Sequence, residues 1–149
     1  MVRWAEFEQA APELAAIGSE RVDRHGFMLL GTVRRDGTAR ISPVGVRLVD
    51  GELTTCVLAD SAKRGDIRRD PRVLLHSPVL HAGDPNDELK LRGRAVEIED
   101  PALVRKAALW DPPPPLVAFR LDVEHAAFLG WSKGEVAVTR WSAERGLYS

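Results

Sequence analysis

The sequence predicts an α+β or β-barrel fold, with about seven short strands and two or three helices. Asp36-Gly37 and Asp50-Gly51 each lie between two strand-like segments, and Asp-Gly tolerates the positive φ angles of tight hairpin turns. Hairpins join antiparallel neighbours, so a doubly wound parallel sheet is disfavoured. The chain has 149 residues, 44% of them hydrophobic, and we expect one domain over residues 1–149 with a sizeable core.

The composition excludes several classes of protein. The net charge is −1, without a basic excess, so nucleic-acid binding is not expected. No apolar run approaches the roughly 20 residues that span a bilayer, and charges and Pro12 stand where a signal peptide needs an apolar core. We therefore expect a cytoplasmic protein that binds no membrane. The single cysteine, Cys56, excludes an internal disulfide and is interpreted as a small buried hydrophobe.

An amphipathic pattern predicts an N-terminal helix. Apolar residues recur every three to four positions over residues 4–17, and Gly18 is the expected end. Pro12 is unfavourable inside a helix and can divide it into two pieces. Residues 19–24 can form a further short turn. We expect this helix to cover one end of a sheet.

The next three strands are predicted to form an antiparallel meander, over residues 27–34, 39–49 and 52–58. Pro43 interrupts the second strand. Because proline has no N–H to donate, this position favours a sheet edge or a bulge. Backbone groups near Ser42 would then be free for a ligand or for water.

A possible anion site follows the meander. Asp60 or Ser61 can cap a helix over residues 62–69, which ends before Pro71 and leads into a strand over 72–77. Ser61, Lys63 and Arg64 then lie at the first turn, where free N–H groups and the helix dipole favour an anion. The first turn is a plausible phosphate site. The alternative is a surface helix whose cations serve only solubility.

The C-terminal half is predicted to alternate strands with one helix. Pro101 is favourable at the first position of that helix. Residues 79–87 read as a loop, and residues 142–149 carry no clear signal. The predicted elements are a strand over 88–99, a helix over 101–110, a stiff connector over 112–115 and strands over 116–123, 126–131 and 135–141.

No catalytic or metal-binding cluster stands out. The four histidines are scattered, and His81 with Asp84 and Asp87 matches no common metal spacing, so no metal is expected. Trp131 and Trp141 can stack on a planar ligand or pack in the core, and core packing is expected for at least one of them.

Several of these motifs together resemble the pyridoxamine 5′-phosphate oxidase-like proteins, the split-barrel group that binds flavins and deazaflavins. The matching segments are LGTVRRDGTARISPV at 30–44, DGEL at 50–53, S-A-K at 61–63, DIRRDPRV at 66–73 and LRGRA at 91–95. The likeness spans roughly residues 4–141. Its most specific part is the pairing of the R-I-S-P-V strand with S-x-K and R-R-D-P-R-V.

The resemblance implies a mainly β, six-stranded antiparallel split β-barrel with flanking helices, which forms a homodimer and holds FMN at the dimer interface. It places a strand along the flavin ring and its ribityl chain, a second strand end on the other side, and a serine and a lysine at the phosphate. The cofactor-binding positions implied in this chain are Arg40, Ile41, Ser42, Pro43, Cys56, Val57, Ser61, Lys63 and Arg64. No catalytic residue is assigned, because a flavin carries the hydride chemistry itself.

The sequence departs from the pattern of the true pyridoxamine phosphate oxidases at two places, and this indicates the short, generic branch of the family. Ala62 stands where those enzymes carry a basic residue, and only Arg145 follows the last predicted strand, where they carry several basic residues.

The leading hypothesis is an FMN-dependent oxidoreductase that acts on an unidentified small molecule. The alternatives are a reductase of the same fold that uses the deazaflavin coenzyme F-420, a non-enzymatic flavin or haem binder, and a dimeric scaffold without a ligand.

Overall fold

Six antiparallel strands close into a barrel. The structure, a computed structural model, describes residues 1–80, 87–109, 115–132 and 134–149. The strand order around the barrel is β3-β2-β1-β4-β5-β6, and pairing of β3 with β6 closes it. The barrel strands are β1 (Phe27–Val33), β2 (Ala39–Val49), β3 (Glu52–Leu58), β4 (Arg72–His76), β5 (Glu88–Glu97) and β6 (Leu116–Ser132).

Two strands and four helices complete the described fold. Strands β7 (Glu135–Ser142) and β8 (Gly146–Tyr148) extend the sheet beyond β6. The helices are α1 (Trp4–Ala10), α2 (Pro12–His25), α3 (Ala62–Arg69) and α4 (Pro101–Ala107). The expected β-rich barrel with flanking helices is therefore confirmed. Among the described helices, none is long and apolar enough to cross a membrane.

Alternate residues of the strands fill the barrel. Their period of two places one set of side chains inside and the other on the outer wall. The fully buried interior includes Met28, Leu30, Val46, Leu53, Leu75, Leu89 and Phe119. The α1–α2 pair covers part of this core, as expected, and Trp141 joins it through the Phe7 ring at a centroid distance of 4.9 Å. Core packing of Trp141 is therefore confirmed, whereas Trp131 is 48% exposed.

The N-terminal helices differ from the prediction at Gly18. The chain divides at Pro12, as expected, but the second helix continues through Gly18 to His25. A Cβ atom at Gly18 would lie 2.6 Å from the Trp4 ring. Glycine at this position makes room for a core tryptophan and does not end the helix. The left-handed residue that ends α2 is Gly26, with φ of 67°.

The longest strand also differs from the prediction. We expected separate strands over residues 116–123 and 126–131, but β6 is continuous over 17 residues. A register shift at Arg92/Gly93 lets β5 pair on both sides of Glu124, so the polar residues Glu124 and His125 do not break the strand. Its first part pairs with β3 and its second with β7, so β6 joins the barrel to the extension.

The remaining differences concern ends of elements. Helix α4 ends at Ala107, before the predicted residue 110, because Ala108 adopts an extended conformation. Strand β8 lies in the C-terminal segment that carried no clear signal. Of the predicted connector over 112–115, only Pro115 belongs to the described residues. His81 and Asp84 also lie outside the described residues.

Candidate cofactor site

A cavity of about 440 Å³ lies on the outer wall of the barrel, where β2 and β3 run beside the start of α3. Four of the predicted site residues line it: Pro43, Cys56, Val57 and Lys63. The remaining lining residues are Val44, Gly45, Leu58 and Leu109. The walls are therefore apolar, and Lys63 is the one charged side chain among the described lining residues. This volume falls in the range of about 300–1,000 Å³ that is typical of small-molecule sites.

Pro43 lies at a free strand edge, as expected. It pairs with Leu29 of β1 on one side, but the pairing of β2 with β3 begins only at Val46. Within the described chain, no strand pairs with residues 40–44 along their second edge. Backbone groups beside the cavity are therefore available for hydrogen bonds to a ligand.

The first turn of α3 contains an unsatisfied hydroxyl. Ser61 is the N-cap residue, as predicted, but its side chain makes no capping hydrogen bond. Its Oγ atom is buried and has no partner among the described atoms. Ser61 is not among the residues that line the cavity, whereas Lys63, two positions further on, is. Buried hydroxyls are nearly always hydrogen-bonded, and a ligand at the first turn would supply the partner that the Ser61 hydroxyl lacks. The first-turn N–H groups of a helix add further donors at the same end.

Two of the predicted cations are engaged within the protein. The Arg64 Nη1 atom donates to Ala59 O at 2.6 Å, and the Arg64 Nη2 atom lies 3.8 Å from Glu97 Oε1. The Arg40 Nε atom donates to Asp66 Oδ2 at 2.6 Å. Neither residue lines the cavity, and a phosphate contact from either of them stays a prediction.

The other predicted positions on β2 lie outside the cavity lining. Ile41 is 71% exposed on the outer wall of the barrel, and Ser42 is half-buried. Cys56 is 6% exposed, as expected for a small buried hydrophobe, and also lines the cavity. Burial raises the pKa of the Cys56 thiol, and Arg47 opposes this shift only in part. The thiol is therefore protonated at neutral pH.

Sequence reasoning missed Leu109 as a wall of this cavity. Its side chain lies against Gly45, where a Cβ atom would be 1.9 Å from Leu109 Cδ1. Arg47 holds this end of the chain, because its Nη1 atom donates to Ala108 O at 2.9 Å. Residues 45 and 109 are far apart in sequence, so no local pattern marks this contact. The glycine itself, inside a strand, was a weak signal of a close approach.

No metal centre is formed by the described residues. In the part of the chain with assigned positions, no group of three or more His, Cys, Asp or Glu side chains is arranged to hold an ion.

The six-stranded antiparallel barrel places the protein in the class of split-barrel proteins. Residues 18–130 match the sequence profile of the pyridoxamine 5′-phosphate oxidase family. The chain belongs to this family. The resemblance inferred from the R-I-S-P-V and S-x-K motifs is therefore confirmed. A comparison with curated proteins found no significant match.

Solved structures of the same fold are described as proteins with different ligands or activities. A Clostridium acetobutylicum protein related to general stress protein 26, of the pyridoxinephosphate oxidase family, is 12% identical with a TM-score of 0.67, over 87% of this chain and 94% of that one. HutZ, the haem storage protein of Vibrio cholerae, is 14% identical with a TM-score of 0.61, over 77% and 90%. An F-420 reductase is 24% identical with a TM-score of 0.58, over 72% and 94%. At these identities the likeness shows the fold alone.

Proposed function

We propose that the protein is an oxidoreductase that binds FMN in the wall cavity, with the phosphate at the first turn of α3. The observation that carries this proposal is an apolar cavity with one charged lining side chain, Lys63, which follows the orphaned Ser61 hydroxyl by two residues. A planar ring with an anionic tail matches that arrangement. Members of this family often bind a flavin, coenzyme F-420 or haem.

Four of the lining residues have a role in this proposal. Pro43, Gly45 and Leu109 offer an apolar surface for a planar ring, and Lys63 supplies a charge-assisted contact to phosphate. Ser61 Oγ donates a further hydrogen bond. The free edge of β2 offers backbone donors and acceptors to the polar rim of the ring. A bound flavin would supply the hydride chemistry, while these residues orient it and exclude water from one of its faces.

The cavity favours a flavin over haem. Haem iron needs an axial ligand, usually a histidine, a cysteine thiolate, a methionine or a tyrosine. Of these, only Cys56 lies among the described lining residues, and its burial keeps it as a protonated thiol. Coenzyme F-420 remains the second candidate, because it presents a similar ring and a phosphate to the same lysine, and one structural neighbour is an F-420 reductase.

We also propose that the protein acts as a homodimer, since members of this family are typically dimers. The outer wall beside the cavity is an apolar patch formed by Leu29, Ile41, Pro43 and Leu74. Leu29 is 36%, Ile41 71% and Leu74 42% exposed. A contiguous apolar patch of this kind usually marks an interaction surface. A second copy covering it would turn the open cavity into a closed cleft.

The first test is ligand binding by the purified protein. An absorbance spectrum and thermal-shift titrations with FMN, coenzyme F-420 and haem compare the three candidates, since a ligand of the native state raises stability by mass action. An FMN shift supports the proposal. A shift with coenzyme F-420 alone moves the protein to the deazaflavin branch, and no shift with any of them contradicts a cofactor role.

The second test is Lys63→Ala. Because a charge-assisted hydrogen bond contributes about 1.5–3 kcal/mol, FMN affinity should fall by at least about tenfold. Lys106→Ala is the matched control, because Lys106 forms an exposed ion pair with Asp50 outside the cavity lining. Binding of riboflavin, which has no phosphate, should be unchanged in both variants. Equal FMN affinity in Lys63→Ala and the wild type would contradict the proposed contact between Lys63 and the FMN phosphate.

A further inference from the structure

Asp66 is a buried carboxylate that joins three elements at one end of the barrel. It points inward from α3 and is 3% exposed. Its Oδ2 atom accepts from Thr32 Oγ1 of β1 at 2.9 Å and from Arg40 Nε of β2 at 2.6 Å. Its Oδ1 atom accepts from Arg69 Nη2 of α3 at 3.0 Å. Burying a charge is costly unless it is paired and hydrogen-bonded, and here both oxygens are satisfied.

Around α3, two arginine–carboxylate pairs use two nitrogen atoms each, whereas Arg40 and Arg69 each contact Asp66 through one nitrogen atom. Arg68 binds Glu97 through Nε and Nη2, and Arg72 binds Asp70 through the same two atoms, so one full edge of each guanidinium is occupied. Arg40 uses Nε alone. Its two terminal amino groups have no partner in the described part of the chain, and its side chain is 28% exposed.

The Asp66–Arg40 pair joins the two elements that carry the proposed phosphate site, α3 and β2. Arg40 precedes Pro43, a cavity residue, on β2, and Asp66 lies one helical turn after Lys63 on α3. The Asp66–Arg40 contact therefore links the strand that forms the wall of the cavity to the helix whose first turn carries the lysine. An arginine that is held through Nε keeps its two terminal amino groups available to donate hydrogen bonds to the oxygens of a phosphate.

We infer that Asp66 is a positioning residue for the anion site, holding Arg40 by Nε so that its two amino groups face the ligand phosphate. This inference rests on the proposed function, because it assumes a phosphate at the first turn of α3. It assigns Asp66 no contact with the ligand. The two remaining partners of the carboxylate, Thr32 and Arg69, contribute to folding stability.

The sign of the effect separates this role from simple electrostatics. Asp66 is a negative charge one turn from Lys63, so Coulomb repulsion alone predicts tighter phosphate binding when the charge is removed. Positioning predicts the reverse, because an unheld arginine loses side-chain entropy when it binds. Asp66→Asn should therefore weaken FMN binding about tenfold and leave riboflavin binding unchanged.

Matched variants separate positioning from folding stability. Arg69→Lys weakens another contact of the same carboxylate but leaves Arg40 untouched, so it should lower the melting temperature without changing FMN affinity. Arg40→Lys keeps the positive charge and loses the paired amino groups of the guanidinium, so it should weaken FMN binding about as much as Asp66→Asn does. The double variant Asp66→Asn/Arg40→Lys should be no weaker than either single variant, since both remove one interaction.

The experiment is a fluorescence titration of FMN and riboflavin into the purified wild type and these variants, with melting temperatures measured in parallel. The inference is overturned if Asp66→Asn binds FMN as tightly as the wild type. It is also overturned if Arg69→Lys weakens FMN binding as much as Asp66→Asn does. If Asp66→Asn does not fold, Arg40→Lys decides: wild-type affinity overturns the inference and a tenfold loss supports it.

The same titration distinguishes failure of the inference from failure of the proposed function. A wild type that binds no FMN overturns both. Wild-type affinity in Lys63→Ala with weakened binding in Asp66→Asn contradicts the assigned role of Lys63 and supports the inference. Weakened binding in Lys63→Ala with normal binding in Asp66→Asn leaves the proposed function standing and overturns the inference alone.

Discussion

At the scale of single residues, Lys63 and Arg64 differ in their partners within the protein. Lys63 lines the cavity without a described ion pair, whereas Arg64 contacts Ala59 O and Glu97. The first-turn motif predicted both cations as ligand contacts. Glu97 lies on β5, distant in sequence from Arg64, so the first-turn motif carries no information about this partner.

Asp66 should make the fold sensitive to acid. Burial alone would raise its pKa, but hydrogen bonds from Arg40, Arg69 and Thr32 hold it below the ordinary value of 3.8. A carboxyl whose pKa is lower in the folded state stabilises the protein above its unfolded pKa. That stability is lost as the pH falls below about 3.8. We expect Asp66→Asn to lower the free energy of unfolding at pH 7 by about 1–3 kcal/mol.

Urea unfolding of Asp66→Asn and the wild type at pH 7, 5 and 3.5 checks this expectation, and the gap between them should narrow towards pH 3.5. Asp70→Asn is the comparison. Hydrogen bonds from Arg72 lower the pKa of Asp70 to about 2, but the arginine of this pair is exposed. Because solvent screens this pair, Asp70→Asn should lower the free energy of unfolding at pH 7 by less than Asp66→Asn does. A constant gap between Asp66→Asn and the wild type at every pH would contradict the predicted linkage.

At the scale of elements, the crossing of β5 and β6 depends on one glycine. Gly93 faces the backbone of β6 at the register shift, and a Cβ atom there would lie 1.8 Å from Asp122 O. Backbone atoms cannot move aside as a flexible side chain can. The close approach explains why a glycine stands at a buried position of a barrel strand, where it otherwise reduces stability.

Gly93→Ala should lower the free energy of unfolding by about 3 kcal/mol, because overpacking against a fixed backbone usually costs about 1–3 kcal/mol and occasionally more. Gly65→Ala is the matched control. It lies in α3 with no atom within 4 Å of its added Cβ, and alanine should stabilise the helix by about 0.5–1 kcal/mol. Urea denaturation measures both. Equal stability of Gly93→Ala and the wild type would show that β6 can shift at this crossing.

At the scale of the whole molecule, the apolar patch on the outer wall should control assembly. Ile41→Glu places a charge in the centre of that patch and should convert the proposed dimer to a monomer, with weaker FMN binding because the cleft loses its second wall. Leu147→Glu is the control, since Leu147 is 56% exposed and lies on β8, outside the patch. Sedimentation velocity measures the assembly state. A dimer that persists in Ile41→Glu would place the interface elsewhere.

Much of the fold could be predicted because its signals are local. The two Asp-Gly turns set the β1–β2 and β2–β3 hairpins, and Pro71 marks the end of α3. Four of the positions that the family motif implied, Pro43, Cys56, Val57 and Lys63, line one cavity, and their contact with a cofactor stays a prediction. Leu109 was missed, because it reaches Gly45 only through the docking of α4 on the barrel.

The sequence by itself determined the strands, the turns, the family and the lysine at the first turn of α3, because hydrophobic period, turn chemistry and motif spacing act within a few residues of chain. Only the tertiary structure decided that Gly18 lies inside a helix, that β6 is one strand, and that Asp66 holds Arg40 by a single nitrogen. Each of these features depends on a neighbour distant in sequence: the Trp4 ring, the β5 backbone and a side chain on another element.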